Sequence, residues 1–227
     1  MTGGDLVTNG PRLWRTAAIV SGTCTVLLAA AMVVVGPGRL AAAASDEQGS
    51  AKDLVEELPV CYSRGTDAFG RAVNAPMSQD LNSTAALVDP DFKVGLDYYR
   101  RCLAPSFSFT VSNRGVAGRV VPDPATRTPQ TDGPLQWANA VNNAMRGQGY
   151  VFTQHHMGSI SSTVRGNEGT VQSYLIATHV FGSASTQTGA WVVYGTYTDK
   201  VAKIGGRWMI TQRTLDTIYS TAIPPGQ

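Results

Sequence analysis

The chain has 227 residues, a formal net charge of +2 and only 15% charged residues. This length suits one ordinary domain with an appendage, and the absence of any basic run or stripe argues against nucleic-acid binding. The 24 glycines, together with frequent Thr, Ser and Val, favour β-structure with many turns.

The N-terminal part of the chain predicts a membrane segment. Residues 16–38 are uncharged, and their longest apolar stretch has nineteen residues, close to the roughly 20 that cross a bilayer. Arg12 and Arg15 precede it, so the positive-inside rule puts the N-terminus in the cytoplasm. The small residues of "LAAAAS" (40–45) also suit signal peptidase, so two alternatives stand: a single-pass anchor with an extracytoplasmic domain, or a secreted protein after signal cleavage. The predicted organisation is a cytoplasmic N-terminus (1–15), a transmembrane or signal segment (16–38), a linker (39–52), the domain (53–221) and a tail (222–227).

Helices begin the predicted domain. Apolar or small residues recur at helical spacing over 53–73, although Pro59 must break or restart that helix. Residues 74–90 form an irregular excursion, and 91–105 form a helix that a proline ends. Export would also affect Cys61 and Cys102, the only cysteines in the part of the chain that is predicted to lie outside the cytoplasm. In an oxidising compartment the two can pair as a disulfide, and the alternative is two buried free cysteines.

Strands dominate the rest of the chain. Residues 106–112 alternate as a strand, 113–133 is loop or edge, and 131–149 is a helix with Asp132 as its N-cap. Short turns then separate four further strands, which form an antiparallel meander. These strands are predicted at 150–165, 169–183, 189–201 and 206–219. The fold class is therefore α+β: a curved antiparallel sheet wrapped as a cone around the N-terminal helices, with a pocket at its open mouth.

Three segments carry a resemblance to a known family: "YSRGTDAF" (62–69), the strand pair that opens with "TQHH" and closes with "THV" (153–180), and the hairpin "VYGTYTDKVAKIGGRWMITQRTLD" (193–216). Together they resemble the nuclear transport factor 2-like (NTF2-like) superfamily, and within it the SnoaL-like branch that includes polyketide cyclases and scytalone dehydratase. The resemblance spans roughly residues 50–220 and implies the same helix-filled cone. The enlarged segment 74–100 has no clear counterpart in the family.

The resemblance also implies an active site. His155 and His179 match the two pocket histidines of the dehydratases, and Asp67 matches the acidic residue of the first helix. Gly70 stands where the family usually has a second acidic residue, and Thr66 stands where the dehydratase has a tyrosine.

Strand alternation separates the paired histidines. If His155 faces the pocket, His156 faces the opposite side of the sheet. The pair therefore does not suit a two-histidine metal clamp, and His156 is expected to be structural. His179 lies about as far from the 165–169 turn as His155 does, so cross-strand pairing brings these two rings close together.

Two histidines and a carboxylate around an apolar cup form an acid–base set. Such a set suits dehydration, isomerisation or cyclisation of a small apolar or aromatic molecule, without a metal or an organic cofactor. Candidate substrate-binding residues are Tyr62, Trp137, Met157 and Tyr197. The alternative is a non-catalytic ligand-binding or envelope scaffold domain, because fold alone does not decide function. The resemblance further implies a homodimer.

Overall fold

The computed structural model describes residues 50–113, 116–121, 132–183, 185 and 187–225. The predicted membrane segment (16–38) and the first part of the predicted linker lie outside these residues. Within the described ranges, no helix is both long and apolar enough to cross a membrane.

The first described helices pack inside the sheet. Residues 50–56, part of which belong to the predicted linker, are helical, and helix α1 then runs over Leu58–Arg71. Pro59 lies in the first turn of α1, where its missing N–H costs nothing and its fixed φ suits a helix start. The proline therefore restarts the helix, as predicted.

The two later helices are capped by aspartates. After an excursion that contains a 3₁₀ turn at Ala85–Val88, helix α2 spans Pro90–Cys102, and the Asp89 side chain accepts from two backbone N–H groups of its first turn. Helix α3 spans Gly133–Gly147, and Asp132 accepts from the N–H of its third residue at 3.1 Å. The predicted N-cap at Asp132 is confirmed.

Six strands form one sheet, in the order β2-β1-β6-β5-β4-β3. Their bounds are β1 Leu103–Asn113, β2 Val116–Val121, β3 Tyr150–Arg165, β4 Glu168–Phe181, β5 Ala190–Ile204 and β6 Arg207–Ile223. The last four strands form the predicted meander. However, β1 pairs parallel to β6, so the sheet is mixed and the prediction of a wholly antiparallel sheet was wrong. β1 follows directly after α2, so no hairpin connects it to the meander. It pairs instead with the free edge of the final strand, β6.

Bulges curve the long strands around α1. The β3–β4 register shifts between Gly158 and Ser161, and Ser159 between them adopts a φ of +47°. A second shift follows Tyr194 in β5. An extra residue on one strand bends that strand and raises its twist. The sheet therefore closes into a cone over the helices.

The helices approach each other closely through glycines. A Cβ on Gly65 of α1 would lie 2.7 Å from the Tyr99 ring of α2, and a Cβ on Gly95 would lie 2.7 Å from Phe69. Phe69 in turn packs on Tyr99 and Phe92, with ring centroids 5.0 and 5.1 Å apart. Both glycines let the two backbones come close enough to build this aromatic core, because no side chain intervenes.

Alternation along β3 decides which side chains face the helices. Thr153 is buried, and His155 and Met157 are partly buried on the same face. His156 is exposed on the other face, as is its register partner Ile176 on β4, which is 43% exposed. The prediction that the paired histidines point to opposite faces is confirmed.

Candidate functional site

A cavity of about 650 Å³ lies between α1, α3 and the concave side of the sheet. Five of the residues chosen from the sequence line it: Tyr62, Trp137, His155, His179 and Tyr197. Met157, chosen as a substrate-binding residue, does not line this cavity and packs instead against the hydrophobic core. Its position on β3 lies two residues beyond His155, where the bulged strand continues over the core.

Most of the other lining residues were not predicted from the sequence. Several come from one face of α3, where residues spaced by three, four, seven and eight positions meet the cavity, so helical periodicity offered a signal. The residues that complete the lining are Thr66, Gln79, Leu81, Phe109, Val111, Ala140, Val141, Asn143, Ala144, Met145 and Leu215.

The excursion after α1 forms part of the cavity wall through Gln79 and Leu81. Amide side chains of α3 hold its backbone in place. Asn139 donates to the carbonyl of Leu81 at 2.8 Å, while Asn143 both accepts from the N–H of Ser78 at 3.1 Å and donates to its carbonyl at 2.7 Å. The excursion between α1 and α2 therefore shapes this pocket.

Asp67 and His155 form the central contact of the site. The Asp67 side chain leaves α1 and its Oδ1 lies 2.7 Å from Nδ1 of His155 on β3. The same carboxylate accepts from the His155 backbone N–H at 3.2 Å and from the Thr153 hydroxyl at 3.3 Å. Only 5% of the His155 side chain and 20% of the Asp67 side chain are exposed. Three hydrogen bonds thus fix the carboxylate, and the carboxylate fixes the ring.

The Asp67 contact determines which atom of His155 can react. With Nδ1–H donating to the carboxylate, the Nε2 lone pair is left for a ligand in the cavity. This arrangement, a carboxylate behind an imidazole, orients the ring and stabilises the imidazolium that forms when Nε2 takes a proton.

His179 lies beside His155 but in a different electrostatic state. The two ring centroids are 5.6 Å apart at an interplanar angle of 84°, and Nδ1 of His179 lies 3.3 Å from the carbonyl of Trp191. Burial, and then the neighbouring charge of His155, lower the pKa of His179 to about 4. His179 is therefore neutral at pH 7, with its Nδ1–H donating to the carbonyl and Nε2 free to accept.

The low pKa of His179 predicts a pH-dependent stability. Between pH 6.5 and about 4, the unfolded chain binds a proton at this residue that the folded chain does not. The free energy of unfolding should therefore fall as the pH drops through that window, by roughly 3 kcal/mol for this group. Urea unfolding at about pH 7 and about pH 4.5 measures the change, and the His179→Gln variant should lose this part of it.

His156→Gln serves as the matched control for that experiment, because His156 is exposed on the outer face. This variant should retain the loss of stability that His179→Gln removes. If His179→Gln and His156→Gln behave alike, His179 does not carry the predicted loss of stability.

Gly70, which the sequence resemblance places where a second acidic residue is expected, has no room for a side chain. A Cβ on Gly70 would lie 2.5 Å from Oγ1 and 2.7 Å from the backbone N of Thr153. Here α1 touches β3, three residues after Asp67. The close contact brings the Asp67 carboxylate within reach of His155.

Gly70→Ala should destabilise the fold by about 1–3 kcal/mol, because the added methyl group must push the backbone of β3 away from α1. Urea unfolding followed by circular dichroism measures the change. Gly147→Ala is the matched control, since a Cβ there meets no atom within 4 Å and the variant should be neutral or slightly more stable. Equal stability of the two variants would refute the close contact.

A buried ion pair packs next to the cavity. Nε and Nη2 of Arg213 donate to the two carboxylate oxygens of Asp199 at 2.6 and 2.5 Å. The guanidinium lies between the rings of Tyr62 and Tyr197, 3.8 and 4.1 Å from their centroids. Burial raises the pKa of both tyrosines, so both phenols are neutral. The ion pair holds the two rings that line one wall of the cavity.

Cys61 and Cys102, for which the sequence left pairing open, are both free thiols in the structure. They lie away from the cavity, where α1 meets the end of α2. Their sulfur atoms share one hydrogen-bond acceptor, the carbonyl of Tyr98.

Comparisons with known proteins agree with this architecture. Kfla4162 protein from Kribbella flavida has a similar structure, with 15% identity and a TM-score of 0.50 over 78% of this chain and 95% of its own. A scytalone dehydratase-like protein from Novosphingobium aromaticivorans has 18% identity and a TM-score of 0.49 over 81% and 98% of the two chains. The dehydrochlorinase LinA-type3 from Novosphingobium barchaimii has 13% identity and a TM-score of 0.48 over 83% and 94%.

At these identities, the likeness to Kfla4162 shows the fold alone. No curated protein sequence matches this chain. The model of the SnoaL-like domain matches residues 97–214, which is more than half of the chain. This protein therefore belongs to the family of SnoaL-like domains, with the NTF2-like fold.

Proposed function

We propose that this protein is a lyase or isomerase that acts on a small apolar molecule by removing a proton next to a carbonyl group. The observation that carries this proposal is the 2.7 Å contact between Asp67 and His155 at the wall of a cavity of about 650 Å³. A histidine oriented by a carboxylate and facing an apolar cavity is a competent general base.

The proposed reaction begins at Nε2 of His155. This atom takes the proton from the carbon, the C–H electron pair moves toward the carbonyl, and Asp67 stabilises the imidazolium. In a dehydration, the electron pair then forms a C=C bond while the C–O bond to the neighbouring hydroxyl breaks. The hydroxyl leaves with its bonding electron pair, takes a proton from the His155 imidazolium and departs as water. This proton transfer restores His155 as the base. In an isomerisation, the imidazolium returns its proton to another carbon.

In this proposal, His179 does not act as a second proton donor. With a pKa of about 4, His179 is hardly ever an imidazolium at pH 7. Its Nε2 can instead accept a hydrogen bond from a substrate hydroxyl. Because the two rings are neighbours, a hydroxyl held there would place the adjacent carbon near His155.

The remaining lining indicates the class of substrate. Stacked rings of Phe109 and Trp137, with centroids 4.3 Å apart, form an aromatic wall. Leu215 and Met145 add apolar surface. The volume suits a one- or two-ring molecule. A cyclic ketone with a hydroxyl two carbons from the carbonyl meets all these requirements, so we propose this class.

The experiment is an NMR screen of such hydroxyketones with the full chain in D₂O. The proposal expects deuterium incorporation next to the carbonyl, or formation of the unsaturated ketone, for at least one compound. The His155→Gln variant should lose that activity by roughly 10²-fold or more, and His156→Gln should keep it.

Ligand binding without exchange or product would refute the catalytic proposal. The cavity would then belong to a non-catalytic ligand-binding domain. An activity that persists in His155→Gln would equally refute His155 as the base.

Anchoring in a membrane also remains a proposal, which the apolar sequence of residues 16–38 supports. The domain would then work on the extracytoplasmic side. Recovery of the full chain in the membrane fraction after a high-salt wash is the expected result, whereas recovery in the soluble fraction would refute an uncleaved anchor.

A further inference from the structure

Two thiols meet on a side of α1 that shares no lining residue with the candidate active site. Sγ of Cys61 donates across the helix interface to the carbonyl oxygen of Tyr98 at 3.4 Å, and Sγ of Cys102 donates to the same oxygen at 3.0 Å. One carbonyl therefore brings the two sulfur atoms together, although 40 intervening residues separate them in sequence.

The two thiols differ in access. Cys102 is fully buried, with 0% of its surface exposed. Cys61 is partly buried and lines a surface cavity of about 370 Å³, together with Leu58, Arg101 and Trp208. A small molecule can therefore reach Cys61 from solvent, while Cys102 is reached through Cys61.

The two thiols also differ in acidity. Once Cys61 has lost its proton, the Cys102 S–H can turn from the Tyr98 carbonyl to the Cys61 sulfur. This hydrogen bond, followed by the charge of Arg101, lowers the pKa of the Cys61 thiol, although burial opposes the change. Burial raises the pKa of the Cys102 thiol. The accessible sulfur is thus the one that ionises more readily, and the thiolate is the nucleophile in exchange with disulfides.

We propose that Cys61 and Cys102 form a reactive dithiol that a small acidic disulfide oxidises to an internal disulfide. The cavity at Cys61 suits an acidic reactant because Arg101 and Arg207 both line it, against the single carboxylate of Glu57. A tripeptide-sized disulfide such as oxidised glutathione can place one sulfur there with its carboxylates near the two guanidinium groups.

The exchange has two steps. The Cys61 thiolate attacks one sulfur of the small disulfide, whose S–S bond breaks, and the departing thiolate takes up the proton that Cys61 released. Cys102 then loses its proton and attacks the Cys61 sulfur, which releases the second small thiol. Two protein thiols are oxidised by two electrons, and one small disulfide is reduced to two thiols.

The internal disulfide would join α1 to the last residue of α2 and close a loop of about 40 residues. Such a loop restricts the unfolded chain and raises the melting temperature, here by roughly 10 °C. Because α1 carries Asp67, oxidation would also make the active-site helix harder to displace.

The test uses the full chain with Cys24→Ser, so that only the two thiols of interest remain. This protein is reduced, freed of reductant, treated with oxidised glutathione and analysed by intact mass and peptide mapping. The expected result is a disulfide between Cys61 and Cys102 and the higher melting temperature. Adding Cys102→Ala should trap glutathione on Cys61, whereas adding Cys61→Ala should leave Cys102 unmodified until urea unfolds the chain.

Three results would overturn the proposal. The thiols could stay free in the folded protein while both react in urea, Cys102 could react as fast as Cys61, or the Cys102→Ala protein could fail to accumulate the mixed disulfide. The first of these results is measured on the protein that keeps both Cys61 and Cys102. The proposal can therefore be tested even if either alanine variant folds poorly.

Discussion

Asp67→Asn should lower the turnover of the substrate found in the screen by roughly 10²- to 10⁴-fold while the fold persists. In the wild type, Oδ1 of Asp67 accepts from Nδ1 of His155 at 2.7 Å. An asparagine of the same shape can donate a hydrogen bond from its NH₂ group to Nδ1. Nδ1 then acts as an acceptor, and the ring carries its single proton on Nε2. The atom that should take the substrate proton would no longer have a free lone pair.

Steady-state kinetics and ¹⁵N NMR of the histidine rings measure the two parts of this prediction. The kinetic loss should accompany a change of the His155 tautomer from Nδ1–H to Nε2–H. Asp97→Asn is the matched control, because Asp97 is an exposed carboxylate on α2. Unchanged turnover together with an unchanged tautomer in Asp67→Asn would show that Asp67 does not orient His155.

Asp199→Asn should cost about 3–5 kcal/mol of stability, because it leaves the Arg213 guanidinium buried without its counter-charge. The Arg213 and Asp199 side chains are 0% and 1% exposed. Asp199 raises the pKa of Arg213 and so offsets the effect of burial. The cation cannot escape to solvent because it lies between two aromatic rings.

Urea unfolding measures this cost as a lower midpoint at an unchanged slope. Asp91→Asn is the control: Asp91 pairs with Arg71 at 3.2 Å, and the side chains of Arg71 and Asp91 are 45% and 39% exposed. Such a surface pair contributes about 1 kcal/mol or less. Similar losses in the two variants would contradict the idea that burial makes the Asp199 pair important.

Local patterns predicted much of the architecture. The Asp132 N-cap, the restart of the first helix at Pro59 and the four-strand meander each depend on neighbouring residues, and the structure contains all three. The parallel pairing of β1 with β6 was not predicted. Its partners, such as Phe109 and Arg213, lie about a hundred residues apart, and no local periodicity reports which strand edge a distant strand will join.

The candidate site was likewise predicted only in part from local sequence patterns. Alternation along β3 was enough to place His155 and His156 on opposite faces. From its position in the sequence alone, Asp67 could equally pair with Arg64 or Arg71 of its own helix. In the structure its carboxylate instead reaches His155, 88 residues away, because Gly70 lets α1 rest directly on β3.

The sequence by itself therefore determined the order of helices and strands, the alternation of side chains along β3 and the acid–base residue types. These follow from backbone periodicity and capping, which act over a few residues. Only the tertiary structure decided that His155 and not His179 contacts Asp67, that His179 is neutral, and that Met157 lies outside the cavity. Those outcomes depend on burial and on distances between elements, which arise when the curved sheet closes over α1.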